Sequence, residues 1–268
     1  MRNTLIAIVA FVIFGSVFAA YFYWLNNQPK HQAGQAQAAP ASAPLKPVMR
    51  QVIDTPLAPV PLPALAHSDD FMIKALTDLI QNKSLINIFH TERIIHNITA
   101  TIDNLTYRRT PMRVMPVETV SGKFLTAGTE DDLIISPMNA ERYSVYVEIA
   151  EEIDARKLVE LYVRLYPLFQ RSYEELGYPK KYFNDRLVIV LDNLLAAPDI
   201  KEPVKLIQSN LYYQYADPDL EGRSIGQRIL MRLGSNNEAK VKTKLQAIKQ
   251  ELMLHMHEKV VGHNVGIF

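Results

Sequence analysis

Apolar positions along this chain change their period several times, and each change marks a different kind of structure. Residues 4–25, TLIAIVAFVIFGSVFAAYFYWL, form an apolar run without a charge. About 20 such residues in a helix cross a hydrocarbon core of about 30 Å. The run closes in Tyr21-Phe22-Tyr23-Trp24, rings suited to the headgroup level. Val17-Phe18-Ala19 before Ala20 is a passable signal-cleavage site, but the apolar run continues past it, which favours an uncleaved anchor.

Residues 26–63 have no period at all. Ala and Gln alternate with eight of the chain's 16 prolines, a composition that favours extended backbone without a core. This segment reads as a linker.

Helical spacing returns from residue 64. Ser68 is a capping hydroxyl followed by Asp69 and Asp70 in the first turn, and Phe71, Ala75, Leu76, Leu79 and Ile80 then share a face. A second helix is predicted to begin near Thr91, with Ile94, Ile95, Ile98, Ile102 and Leu105 as its stripe. The period shortens in GKFLTAGTEDDLIIS, residues 122–136, whose Ala-Gly-Thr-Glu-Asp centre reads as a hairpin turn. Another helix follows near Asn139 to Glu152. Asp154 can cap the next, which carries Leu158, Leu161, Tyr162, Leu165, Tyr166, Phe169, Tyr173 and Leu176. Pro167 is expected to kink it, and Gly177 with Pro179 to end it.

KKYFNDRLVIVLDNLLAAP reads as a further helix stopped by Pro198. VKLIQSNLYYQYADPDL suggests a second hairpin around Ser209-Asn210, with Leu211, Tyr213 and Tyr215 alternating. Asp217-Pro218 should open one helix that Gly234 closes. SNNE, Ser235 to Glu238, reads as a capping box before a last helix with Val241, Leu245, Ile248 and Leu252 as its seam.

The expected architecture is α+β, predominantly helical, with two short β-hairpins, preceded by one transmembrane helix. Its divisions are a short cytoplasmic N-terminus (1–3), a transmembrane helix (4–25), a linker (26–63), a folded periplasmic domain (64–254) and a C-terminal tail (255–268). Arg2 and the terminal amine on one flank of the apolar run, against Lys30 on the other, favour a cytoplasmic N-terminus.

Charge and composition narrow the chemistry. With 29 basic and 28 acidic residues the net charge is +1, so no global field attracts nucleic acid. Cysteine is absent, which excludes disulfides, thiolate catalysis and Cys-ligated metal. No Walker loop, nucleophile elbow or His-Glu-x-x-His occurs. His255-Met256-His257 and His263 read as a polar terminus, and no cofactor or metal is implied.

Three groups of residues remain as candidates. Glu174 and Glu175, with Asp185, are carboxylates of the kind a glycan hydrolase pairs across one bond. Asp217, Asp219, Glu221 and Arg223 crowd a strand-to-helix junction where a ligand can be bound. Arg142 and Tyr143 sit near the start of a helix, able either to bind a ligand or to pin the hairpin.

PLPALAHSDDF, TIDNL, RYSVYVEIAEEIDARKLVELYVRLYPLFQRSYEELGYPKKYFNDRL, LLAAP and YADPDLEGRSIGQRILMRLGSNN together resemble a bacterial family known only as a domain of unknown function, over about residues 61–245. That resemblance implies a single-pass protein of the Gram-negative envelope with one domain, and supplies no activity or catalytic residue. The expected function is therefore that of a membrane-anchored periplasmic binding or scaffold domain, an accessory to an envelope assembly. Its partners would be the lipid bilayer through residues 4–25 and an envelope protein, and not nucleic acid. An envelope hydrolase is the alternative.

Overall fold

The computed structural model describes residues 49–53, 61–80, 90–108, 122–129, 131–200, 203–209 and 212–260. The apolar run 4–25 and most of the linker lie outside them. Among the described residues no helix is long and apolar enough to cross a membrane.

Eight helices carry this part: α1 (Asp69–Ile80), α2 (Ile94–Asn104), α3 (Met138–Glu152), α4 (Ala155–Glu175), α5 (Phe183–Leu195), α6 (Pro218–Glu221), α7 (Ile225–Arg232) and α8 (Ser235–Leu254). α4 and α8 are the central pair: α8 packs on α3, α4, α5 and α7, and α4 on α2. Their shared core takes Ile98 from α2, Val147 from α3, Leu165 and Phe169 from α4, Leu194 from α5, Ile229 from α7 and Leu245 from α8.

Local chemistry sets most element ends. Asp154 caps α4 by accepting the N–H of Lys157 at 3.0 Å, and that bond lowers its pKa below the usual carboxylate range. α4 runs through Pro167, whose ring is exposed, and Gly177 follows its end at φ +105°. The aromatic residues of the predicted α4 face pack as one cluster, with Tyr166, Phe169 and Tyr173 buried, Tyr162 partly buried, and Phe169 stacked on Phe183 of α5 at 5.9 Å between ring centres.

The two predicted hairpins are present. β2 (Thr126–Thr129) pairs with β3 (Asp132–Ile135), and β4 (Leu206–Ser209) with β5 (Tyr212–Tyr215), both antiparallel. A single bridge, Ile134 to Lys205, stitches them together, and Ile135 donates its N–H to the carbonyl of Val204 at 3.0 Å. Between them and α7 lies a second small core of Val204, Leu206, Tyr215 and Met231.

Four expectations need correction. The segment from Pro218 to Leu233 is two helices, because Ser224 starts a new one by accepting the N–H of Gln227. The last helix is capped by the backbone of Gly234 with no side-chain bond, so SNNE is not a capping box; Glu238 turns inward and meets Lys242 at 3.0 Å. The second helix begins at Ile94 rather than near Thr91, because Arg93 is left-handed at φ 52°. Finally, five residues of the proline-rich segment form a strand: β1 (Met49–Ile53) pairs antiparallel with β6 (Met256–Val260), which contains His257. Residues read as linker and tail thus form a ribbon, and it packs against α5 and α8.

Candidate functional site

Glu174 and Glu175 are adjacent on α4 and so point about 100° apart around the helix. Glu174 Oε1 accepts a hydrogen bond from Gln170 Nε2 at 3.0 Å. Gln170 also donates to the carbonyl of Lys181 and accepts the N–H of Phe183, so it clamps the turn between α4 and α5. Asp185 lies in the first turn of α5. Glu174 and Asp185 both act on the hydroxyl of Tyr166, whose pKa is raised first by burial and further by Tyr182 and these two acids.

Glu175 faces elsewhere. Its carboxylate pairs with Arg171 at 3.0 Å and borders a cleft of about 340 Å³ between the chain entering α1, the start of α2 and the end of α4. Ser68, Asp69, Arg93 and His96 supply its other polar groups. That volume falls in the range of small-molecule sites.

The floor of this cleft is built by one long-range cap. Asp69 Oδ2 accepts the N–H of Arg93 at 2.7 Å and Oδ1 that of Ile94 at 2.9 Å. An acid in the first turn of α1 therefore serves the open N–H groups of α2. The cap accompanies the strained backbone of Arg93, the one non-glycine residue with positive φ among those described.

His96 lies in the first turn of α2, with a buried Nδ1 that has no hydrogen-bond partner among the described residues. Burial lowers its pKa, Arg93 lowers it further, and Glu175 opposes them. The ring is therefore neutral at pH 7. Among the described residues nothing engages Nδ1, so none of them fixes the tautomer of the ring. The cleft thus offers a cation, a neutral imidazole and a carboxylate.

Most of the other candidates are used within the fold. Arg142 donates to the carbonyl of Gly122 at 2.9 Å and to Asn139 Oδ1, which ties the start of α3 to the chain entering β2. Tyr143 is 1% exposed and presents no surface to a ligand. Asp217 caps α6 by accepting the N–H of Asp219, while Asp219 and Arg223 are exposed. Glu221 accepts the N–H of Tyr215 at 3.1 Å and pairs with the buried guanidinium of Arg228 at 2.5 Å. That junction is a structural lock between β5 and α7.

A second buried pair lies at the end of α2. Arg186 Nε meets Asp103 Oδ1 at 2.7 Å, and the same guanidinium reaches the carbonyl of Asp103 and the hydroxyl of Thr106. Among the described residues no three His, Asp or Glu side chains converge as a metal site.

Nothing local in the sequence marks Asp69, Arg93 and His96 as site residues, beyond an extra acid beside a helix cap. Their spacing carries no motif. Glu175 alone of the cleft residues was a candidate.

Among the described residues, these features define a mainly helical α+β domain with three two-stranded ribbons and a polar cleft. The chain belongs to the family described as protein of unknown function DUF3014, whose model matches residues 94–249. No curated protein and no solved structure matches it.

Proposed function

We propose that this chain is a membrane-anchored binding domain, held at a bacterial inner membrane by residues 4–25 and projected into the periplasm by the linker. Its role is that of an accessory subunit engaging an envelope protein. The observation that carries the binding reading is the disposition of acids around the cleft. Among the described residues, Asp69 accepts two backbone N–H groups and Glu175 pairs with Arg171, so no pair of unengaged carboxylates faces the cleft. Arg93 and His96 remain there as recognition groups. The length and apolarity of residues 4–25 and the flanking charges support the location.

The test is in-cell crosslinking of the full-length, C-terminally tagged chain, with mass spectrometry of what co-purifies. A reproducible envelope partner that is lost in Arg93→Glu supports the reading and places the contact at the cleft. Recovery of the chain alone sinks it.

The hydrolase alternative rests on a separate observation, that Glu174 and Asp185 both raise the pKa of the Tyr166 hydroxyl, though less than its burial does. It requires turnover of purified peptidoglycan that Glu174→Gln and Asp185→Asn each abolish.

A further inference from the structure

An apolar void in the described part of the molecule lies away from the polar cleft. Helices α2, α4, α5 and α8 surround a cavity of about 90 Å³. Its walls are aliphatic and aromatic, with four side chains from α5, Leu187 and Leu191 among them. The one wall residue with a polar side-chain atom is Tyr162, and its hydroxyl donates to Asn184 Oδ1 at 2.5 Å.

Protein interiors are packed densely, with few voids larger than a water molecule. A water held here would need two to four polar partners. The wall offers at most one, the Tyr162 hydroxyl oxygen as an acceptor, since its hydrogen is given to Asn184. Apolar cavities of this kind, on the order of 100 Å³, stay dry and take up apolar molecules. The void is not sealed, since Ile102, Tyr162, Leu187 and Ile248 are only partly buried.

We propose that this cavity binds the end of an alkyl chain. The wall is chiefly Leu, Ile and Val, which matches methylene and methyl groups and gives a polar head at most the one Tyr162 acceptor. The head would stay at the surface, where water solvates it. α5 and α8, which supply seven of the wall residues, are also the helices against which the β1–β6 ribbon packs. This proposal stands independently of the polar cleft and of its partner.

The experiment uses the full-length chain in native membranes. One sample receives decanoic acid carrying a diazirine near its methyl end, and another a phospholipid whose acyl chain carries the same group. After photolysis, label is located by peptide mass spectrometry. The proposal expects label within residues 183–195 and 235–254, reduced roughly tenfold by excess unlabelled decanoic acid. Label there from the free acid alone identifies a free alkyl acid as the ligand, and label from both probes a lipid acyl chain. Label confined to residues 4–25, or spread over the surface without competition, overturns the proposal. Leu187→Phe should fill the void and lose the label while its thermal midpoint stays at or above that of the natural chain. Undiminished labelling of a folded Leu187→Phe chain also overturns it.

Discussion

Asp69 Oδ1 accepts the backbone N–H of Ile94 at 2.9 Å, across 25 positions of sequence. The start of α2 is thus held by a side chain from α1 rather than by a residue of its own, and Arg93 takes its left-handed conformation beside this contact. Loss of a helix cap costs about 0.5–2 kcal/mol. Asp69→Ala is expected toward the upper end, since two N–H groups lose their acceptor. Urea unfolding measures it, with the exposed Asp70→Ala, expected to change little, as the control. Equal effects of the two substitutions would show that the cap is not what matters.

The Asp103–Arg186 pair is mostly buried, with side chains 9% and 14% exposed. Removing one member of a buried pair leaves an uncompensated charge and costs about 3–5 kcal/mol. Arg186→Met should therefore destabilise strongly. Arg186→Met combined with Asp103→Asn should recover part of the loss, because neither charge then remains. A double variant weaker than Arg186→Met alone would contradict this account.

Gly226 sits where α7 meets the end of α2. Its N–H donates to the carbonyl of Leu105 at 2.9 Å, and a Cβ built there would lie 2.5 Å from Leu194 Cδ2 and 3.0 Å from that same carbonyl oxygen. The backbone cannot yield as a flexible side chain would. Gly226→Ala should cost about 1–3 kcal/mol as an overpacking change, despite the helical preference for Ala. Gly222→Ala, in the more exposed break between α6 and α7, gives the comparison by thermal denaturation.

His96 makes stability depend on pH in a defined direction. Its folded pKa lies below the ordinary value of 6.5 because of burial and Arg93. Between the folded pKa and 6.5 the unfolded chain binds more protons, so stability rises with pH through that window and falls on acidification. His96→Gln should flatten this part of the curve and leave values above pH 7 less affected. Denaturant titrations between pH 5 and pH 8 would show it, and identical slopes would refute it.

The β1–β6 ribbon predicts a coupling between distant segments. A chain ending at Leu254 lacks the strand opposite Met49–Ile53. Hydrogen exchange should then show loss of amide protection at those residues, while α4 and α8 stay protected. Protection that persists in the shortened chain would remove the pairing.

Much of the helical layout was legible in the sequence, because caps, glycine stops and apolar spacing are local. Asp154, Gly177 and the stripe from Tyr162 to Tyr173 act within a few residues of themselves. The two hairpins were legible for the same reason. At Ser224 the local signal was outweighed by a stronger-looking one: Asp217-Pro218 and Gly234 frame a single helix on paper, while a second capping serine divides it.

What the sequence alone determined is therefore most of the helices, two of the three ribbons, the apolar run 4–25, the exclusion of cysteine chemistry and the family to which the chain belongs. Tertiary structure decided everything that depends on residues meeting from afar. It gave Asp69 to another helix, paired Glu221 with Arg228, turned Glu238 inward, and set His96 beside Arg93 and Glu175. It also drew Met49–Ile53 out of the proline-rich segment to complete a ribbon with the C-terminal strand. The physical reason is common to all of these. Helix propensity and capping are interactions between near neighbours in the chain, whereas a cleft, a buried ion pair or a two-stranded ribbon closed across 200 residues exists only once packing has fixed which surfaces face each other.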